Sequence, residues 1–166
     1  MILINPPFAT AQQGGATGAN KSDVANTVVR SIMHHRNLGE TSRELFAQFL
    51  FRIKQEFESK VAWLGLFAKL KYVNATNDQK LRDDIFQYQF NRGFMFSSVN
   101  FSGTSASSQF PVGFLIWNLA KKKSIESQTV SLDVYDTQVL KLNKKRLGVE
   151  HRSGFLSKWI ARPKTT

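Results

Sequence analysis

The stretch Ile2-Leu3-Ile4-Asn5-Pro6-Pro7-Phe8 decides the predicted fold of this chain. Its three aliphatic residues predict a buried parallel strand, because strands covered on both faces are apolar at successive positions. Two prolines end that strand, since proline has no N–H group to donate to a sheet. This order places Asn5 and Phe8 at the carboxyl end of the strand, where open α/β sheets bind their ligands.

The segment Asn5-Pro6-Pro7-Phe8 resembles the Asn-Pro-Pro-aromatic motif of S-adenosylmethionine-dependent amino-methyltransferases. Most members with Phe in the last position modify adenine N6 in DNA. The resemblance implies that the Asn5 side-chain oxygen and the Pro6 carbonyl accept hydrogen bonds from the target amine. It also implies that Pro7 shapes the turn and that Phe8 stacks on an adenine flipped out of the duplex. The simpler interpretation is a strand followed by an Asn-Pro turn, with Phe8 in the core.

Hydrophobic periodicity and end signals predict the remaining elements. Helices are predicted from a cap at Ser22 or Asp23 through His35, from the capping box Thr41-x-x-Glu44 through Phe57, and from Asn77 or Asp78 through Phe90 to Gly93. Strands are predicted at Val61–Phe67, Phe94–Phe101, Val112–Leu119 and Thr129–Tyr135. A short link makes the second and third strands antiparallel neighbours, and the alternation of the fourth predicts a half-exposed edge strand.

The fold class predicted from these elements is α/β. Their order resembles the second half of the Rossmann-like class I methyltransferase fold, which implies a mixed sheet with a terminal antiparallel hairpin and flanking helices. Residues 1–120 are expected to form this partial catalytic domain. Residues 121–166 are expected to form a basic C-terminal extension that packs on it. Phe155, Leu156, Trp159 and Ile160 there are read as one docking helical face, with nucleic-acid contact by Trp159 as the alternative.

The Gly-rich loop that holds the cofactor in this family is not found in the sequence. The glycines between residues 9 and 21 fit neither a P-loop nor the dinucleotide fingerprint. The first strand is short and leaves a hydrophobic sheet edge open. We therefore expect a truncated or split enzyme, whose cofactor half lies in a missing N-terminal segment or a partner chain. This chain alone is expected to bind S-adenosylmethionine weakly or not at all.

The charge of the chain indicates a polyanionic partner, since 166 residues carry a net charge of +11. Most of the excess lies in residues 119–166. Phosphate contacts are expected from Lys21, Lys121, Lys122, Lys123, Lys144, Lys145 and Arg146. For any single lysine, a solvated, solubilising surface is the favoured explanation, whereas the summed asymmetry of charge favours phosphate contact.

The composition excludes several classes of protein. The absence of cysteine excludes disulfides and thiolate metal sites. No apolar run approaches the length of a membrane span, and the first residues lack the features of a signal peptide, so we expect a cytoplasmic protein with no membrane partner. His34 and His35 are adjacent and point about 100° apart on a helix, which favours a solvated helix end over a metal site.

The function expected from this sequence is DNA adenine-N6 methylation of the restriction–modification type, by an enzyme that is incomplete as an isolated chain. Its partner is DNA, and its methyl donor is S-adenosylmethionine. One alternative is an enzyme with the same motif that acts on RNA or on protein glutamine. The other is a non-catalytic, methyltransferase-like module that binds nucleic acid.

Overall fold

A six-stranded mixed sheet organises the molecule, and helices flank it. The structure is a computed structural model and is described over residues 1–7, 27–58, 60–100 and 109–148. Its strands are β1 (Ile2–Ile4), β2 (Trp63–Lys69), β3 (Tyr88–Ser97), β4 (Pro111–Lys122), β5 (Val130–Tyr135) and β6 (Lys141–Leu147). The predicted α/β class is confirmed, and the architecture is compatible with a Rossmann-like fold in general.

The strands lie in the order β1-β2-β4-β3-β5-β6. β1 runs parallel to β2, with Ile4 opposite Leu66. β4 is antiparallel to both β2 and β3, so the predicted antiparallel hairpin is confirmed. β5 pairs in parallel with β3, and β6 returns antiparallel to β5. β1, β2, β3 and β5 therefore point the same way, and their carboxyl ends share one edge of the sheet.

The helices are α1 (Val28–His35), α2 (Leu45–Phe57) and the short α3 (Lys71–Asn74). A 3₁₀ segment, Gly39–Arg43, precedes α2, and a helical turn, Leu81–Ile85, precedes β3. α1 begins at Thr27, whose hydroxyl accepts the Arg30 N–H at 3.1 Å. The caps predicted at Ser22 and Asp23 lie outside the described residues. Within the described part of the chain, none of the helices has the length and apolarity needed to cross a membrane.

The capping box predicted at Thr41 and Glu44 is wrong. Thr41 is buried inside the 3₁₀ segment, and Glu44 is itself the N-cap of α2, without a side-chain capping bond. Both carboxylate oxygens of Glu44 instead accept hydrogen bonds from Lys71 Nζ at 2.7 Å. The carboxylate thus pairs with a cation from a distant part of the sequence rather than with its own helix.

The buried face of α2 differs from the face that its apolar residues predict. Their 3.6-residue spacing predicts a buried stripe that includes Phe49 and leaves out Gln48, yet Phe49 is 43% exposed and Gln48 is buried. Gln48 accepts a hydrogen bond from the Thr27 hydroxyl at 2.6 Å and donates to the Ser42 carbonyl at 2.9 Å. Because both polar ends of its side chain are paired, Gln48 can be buried where it joins α1 to α2.

The helix predicted to run to Gly93 is also wrong, because β3 begins at Tyr88. Phe90 lies in this strand, and its N–H donates to the Gln128 side chain at 2.8 Å. Gly93 is in the middle of the strand rather than at a helix end. A Cβ atom there would stand 2.6 Å from the Phe114 carbonyl oxygen and 3.1 Å from Leu115 Cα, so the close approach of β4 requires glycine.

The second half of the chain adds strands to the same sheet. β4 runs through residue 120, where the domain boundary was predicted, and β5 and β6 extend the sheet beyond the hairpin. β5 is an interior strand, so its predicted edge position is wrong; the edge is β6, which the sequence did not predict. The docking face expected at Phe155, Leu156, Trp159 and Ile160 lies outside the described residues.

The core fills one face of the sheet, between the strands and the helices. Trp117 is fully buried at its centre and meets Phe86 edge-on, with ring centroids 5.0 Å apart. Tyr72 from α3 packs against both rings at 5.6 and 6.2 Å. Aromatic side chains from α3, the following helical turn and β4 therefore hold the sheet against the helical layer.

Candidate active site at the carboxyl edge of the sheet

Asn5 lies where the sequence predicts it, directly after the last residue of β1. Its side chain is exposed, Pro6 is buried, and Pro7 is exposed. The Asn5 carboxamide makes no hydrogen bond with the residues that the structure describes. Pro6 therefore anchors the end of the strand while the amide next to it faces outward. Phe8, the fourth residue of the motif, lies outside the described residues.

The register of the sheet sets the neighbours of Asn5. Ile4 pairs with Leu66, so Asn5 comes level with Phe67 of β2, at a strand spacing of about 4.8 Å. A Cβ on Gly65 would stand 2.5 Å from Leu3 Cδ2, so the Leu3 side chain lies on the same side of the sheet as that Cβ, which is the face away from the core. Asn5 follows Leu3 by two residues. The alternation of strand side chains places Asn5 on that same face.

The carboxyl end of β2 is tied to the first residues of β4. The Leu70 N–H donates to the Pro111 carbonyl at 3.3 Å, and Lys69 Nζ lies 4.1 Å from the centre of the Phe110 ring. Phe110 is held in turn by Ser98, which accepts its N–H on the side-chain oxygen at 3.1 Å and donates its own N–H to the Phe110 carbonyl at 3.0 Å. The edge thus carries an aromatic ring with a cation over it.

A cavity of about 430 Å³ opens at this edge. It is bounded by the ends of β2 and β3, the start of β4, and two side chains of β6; the lining residues are Lys69, Leu70, Lys71, Asn74, Met95, Phe110, Pro111, Lys145 and Leu147. The lining is apolar in the middle and cationic at the rim. Such a lining suits a planar apolar group that carries negative charge at one end.

Lys71 at this rim is already paired with carboxylates. Glu44 accepts its hydrogen bonds at 2.7 Å, and Asp78 Oδ1 lies 3.9 Å from its Nζ. Asp78 is buried, and this burial raises the pKa of its carboxyl, with Lys71 opposing the shift and Glu44 adding to it. Lys71 is therefore a structural cation, whereas Lys145 is an exposed cation in the lining of this cavity.

The predicted phosphate contacts fall into two separate places. Lys121, Lys122 and Lys123 lie at the carboxyl end of β4, and Lys122 is opposite Tyr88, the first residue of β3. They are therefore at the opposite edge of the sheet from Asn5. Lys122 Nζ also lies 3.0 Å from Glu58, and this hydrogen bond lowers the pKa of that carboxyl.

Lys144, Lys145 and Arg146 are all exposed on β6, at the other end of the strand order from Asn5. Lys144 pairs with Asp133 and Arg146 with Ser131, so these two cations face away from the core, whereas Lys145 lines the cavity. Lys21 lies outside the described residues. The structure thus separates the predicted cations into an amino-edge group and the β6 group.

Sequence reasoning missed Lys69 and Phe110, since each is unremarkable within its own segment. A signal for the outer sheet face did exist in the sequence. Phe94 and Phe96 lie two residues apart in β3 and therefore point to the same face, and Leu3 and Asn5 have the same spacing at β1. His34 and His35 are exposed in the last turn of α1. Among the described residues, no three His, Asp or Glu side chains are grouped so that they could hold a metal ion.

No protein-family model matches this chain, and no curated protein matches its sequence.

Proposed function

We propose that this chain is the target-base part of an S-adenosylmethionine-dependent DNA adenine-N6 methyltransferase. Asn5 and Pro6 accept hydrogen bonds from the adenine amine, Pro7 directs the turn, and Phe8 stacks on the flipped base. The observation that carries the proposal is the position of Asn5: an exposed amide at the carboxyl end of a parallel strand, fixed by a buried proline.

The sheet supports this proposal beyond the four-residue motif. Class I methyltransferases close their sheet with an antiparallel hairpin, and β3 and β4 form such a hairpin here. β4 inserts next to β2, which is itself the parallel neighbour of the motif strand. Asn5 therefore lies on the edge that carries the ligands of open α/β sheets, the same edge at which the cavity bounded by β2, β3 and β4 opens.

The chemistry assigned to Asn5 and Pro6 requires acceptors in fixed positions. The adenine amine is a poor nucleophile because its lone pair is delocalised into the ring. Two acceptors that hold its hydrogens favour the pyramidal nitrogen and stabilise the positive charge that develops on it. The backbone of Pro6 suits this role, since proline fixes φ near −65° and residue 5 is held extended by the proline that follows it.

The described residues do not fit a complete binding site for S-adenosylmethionine. The connections from β2 to α3 and from α3 to β3 contain no glycine-rich turn that opens a helix. Among the described residues, no strand pairs with the outer edge of β1, and Leu3 on this strand is 65% exposed. We therefore propose that the methyl donor is held by a further polypeptide segment that pairs with β1. Micromolar binding of S-adenosylmethionine to this chain alone, measured by calorimetry, would contradict this part.

The amine site can be tested without methyl transfer. The probe is a fluorescent thymine oligonucleotide that carries one central adenine, compared with the same strand carrying N6,N6-dimethyladenine, which has no amine hydrogen. Wild-type protein should prefer adenine, and Asn5→Ala should lose about 2-fold to 10-fold of that preference, the range of one hydrogen bond. Asn91→Ala is the matched control, because Asn91 is also exposed but lies in β3.

Equal affinity of the wild type for the two oligonucleotides would refute the proposal. Transfer of a tritiated methyl group in the completed enzyme then separates the substrates. Labelled DNA supports the adenine enzyme, whereas labelled RNA or protein glutamine would replace it with one of the related activities. Nucleic-acid binding that is unchanged by Asn5→Ala, without transfer, would leave a non-catalytic binding module.

A further inference from the structure

The outer face of the sheet carries a continuous row of aromatic side chains. Strand register aligns Phe67, Phe114 and Phe94 across β2, β4 and β3. Phe96 and Tyr135 extend this row on β3 and β5, with Phe94 lying 6.1 Å from Phe96 and 5.9 Å from Tyr135. We call these five residues the aromatic face. Phe94, at the centre of the aromatic face, is 38% exposed, so ring carbon is open to a ligand there.

Cations border the aromatic face, two on β6 and one on β3. Phe94 pairs with Asp133, and Asp133 pairs with Lys144, so Lys144 lies on the same face about 10 Å from Phe94. Arg146 is opposite Ser131 on that face, and Arg92 of β3 is opposite Ile116. Arg92, Lys144 and Arg146 are all exposed.

The two acidic groups near this surface are each paired within it. Asp133 lies between Phe94 and Lys144, and Lys141 Nζ is 2.9 Å from its Oδ1. Asp136 accepts the N–H groups of Gln138 and Leu140 at 2.9 and 2.8 Å and thereby closes the turn between β5 and β6. The surface beside the aromatic face is therefore positive on balance.

A cavity of about 390 Å³ lies at the carboxyl end of this surface, lined by Phe94, Phe96, Tyr135, Asp136 and Val139. Val139 has a φ of 64°, which is strained for a β-branched residue, and it is 77% exposed. The hydrogen bonds of Asp136 hold this turn in place. An exposed apolar side chain in a strained backbone, next to an aromatic wall, is typical of a ligand-binding position rather than of a solubilising turn.

We propose that the aromatic face is a binding site for single-stranded nucleic acid. Unpaired bases stack on Phe94, Phe96 and Tyr135, and phosphates lie against Arg92, Lys144 and Arg146. Aromatic rings with neighbouring cations are the combination that binds single strands without sequence readout, because every base has a π-face. This site adjoins the amine site of Asn5 at Phe67 but uses other residues for stacking and does not depend on methyl transfer.

The test measures the anisotropy of a fluorescent 15-nucleotide oligo(dT), which contains no adenine and so does not use the Asn5 site. Phe94→Leu with Tyr135→Leu keeps the surface apolar but removes two rings, and it should weaken binding by about 5-fold to 100-fold. Phe49→Leu is the matched control, because Phe49 is an exposed aromatic residue on α2, and it should leave binding unchanged.

Charge changes give a second readout that leaves the aromatic residues intact. Lys144→Gln with Arg146→Gln should reduce the slope of log K against log salt by about 1.4, at 0.7 per phosphate contact. Lys121→Gln with Lys123→Gln, at the opposite edge of the sheet, should not change the slope. Asp133→Asn should tighten binding, because it removes the carboxylate that faces the phosphates.

Cross-linking of wild-type protein keeps the proposal testable if a variant fails to fold. Irradiation of a complex with 5-iodouracil-containing oligo(dT) should attach the label to peptides of β3 and β5, identified by mass spectrometry. Labels confined to other segments, or equal oligo(dT) affinity in wild type and the folded Phe94→Leu/Tyr135→Leu variant, would overturn the proposal. Loss of adenine preference in Asn5→Ala with unchanged oligo(dT) binding would show that the two sites are independent.

Discussion

Arg82 is the most deeply buried cation among the described residues, and its removal should destabilise the fold strongly. Its guanidinium is 1% exposed and donates to the carbonyls of Tyr72 and Ala75 at 3.1 and 2.8 Å and to the Gln79 side chain at 2.7 Å. These bonds tie α3 and the connection after it to the helical turn that leads into β3. Burial lowers the pKa of Arg82, while Asp78 and Glu126 oppose that shift.

The expected magnitude follows from the groups that Arg82→Leu leaves unpaired. The buried Tyr72 carbonyl loses its donor at about 1–3 kcal/mol and the half-buried Ala75 carbonyl at no more than that, which gives about 1–6 kcal/mol before any effect on Asp78. A domain of this size is stable by about 5–15 kcal/mol, so the variant should lose a large part of its free energy of unfolding. Urea denaturation followed by far-UV circular dichroism measures this loss.

Two further variants make the reasoning about Arg82 specific. Arg52→Leu is the control, because Arg52 is 61% exposed and forms only an i,i+4 pair with Glu56 at 2.7 Å; it should cost less than about 0.5 kcal/mol. Asp78→Asn in the Arg82→Leu background should restore part of the loss, since it removes a buried carboxylate that then has only Lys71, 3.9 Å away, to offset its burial. An Arg82→Leu variant within about 1 kcal/mol of wild type would refute this account.

Two other predictions concern the sheet. Gly93→Ala should cost about 1–3 kcal/mol in urea denaturation, because its Cβ meets the Phe114 carbonyl oxygen at 2.6 Å; Gly65→Ala should cost less, because its Cβ meets only the ends of the Leu3 and Phe114 side chains. Burial raises the pKa of Tyr88 from 10.0 to about 12, and Glu58 adds to the shift. The protonated phenol is therefore favoured in the folded state, and the thermal stability of the wild type should fall as the pH rises from 10 to 12. Tyr88→Phe should remove the contribution of Tyr88 to this fall. The same dependence of thermal stability on alkaline pH in wild type and variant would contradict the prediction.

The strands were the most predictable elements, because a strand buried on both faces leaves an uninterrupted apolar run. The Trp63–Lys69 and Pro111–Lys122 strands were both found from such runs, with ends shifted by a few residues. The pairing of these two strands with each other is harder to predict, since it depends on β4 inserting between β2 and β3. That insertion joins segments about fifty residues apart and leaves no local pattern.

The errors occurred where a tertiary contact replaced a local signal. A glycine such as Gly93 is typical of the position after a helix end, yet here the backbone of β4 requires a residue without Cβ. Glu44 fits a capping box, yet Lys71 binds its carboxylate. β6 has no apolar face, so hydrophobic periodicity does not indicate a strand there. It is held in the sheet by backbone hydrogen bonds to β5. In each case, the contact that decides the structure leaves no signal in hydrophobic periodicity, and for Gly93 and Glu44 the partner is also distant in sequence.

The candidate site was predictable only at Asn5, Pro6 and Pro7, because prolines end a strand and their positions can be read from the sequence alone. Lys69 and Phe110 come to the same edge from β2 and from the segment before β4, and nothing local marks either residue. The five residues of the aromatic face come from four strands. Their alignment appears only when the register of every pair is known.

Strand direction decides which of the basic runs can act together with Asn5. Lys121, Lys122 and Lys123 end an antiparallel strand, so they lie at the amino edge, a full strand length from the motif. Lys144 is level with Asn5 across the sheet, because the register runs from Phe67 through Phe114, Phe94 and Asp133 to Lys144. A single strand that reaches Asn5 along the outer face crosses the aromatic face and ends at β6. The salt dependence of binding should therefore come from β6 rather than from the longer lysine run of β4.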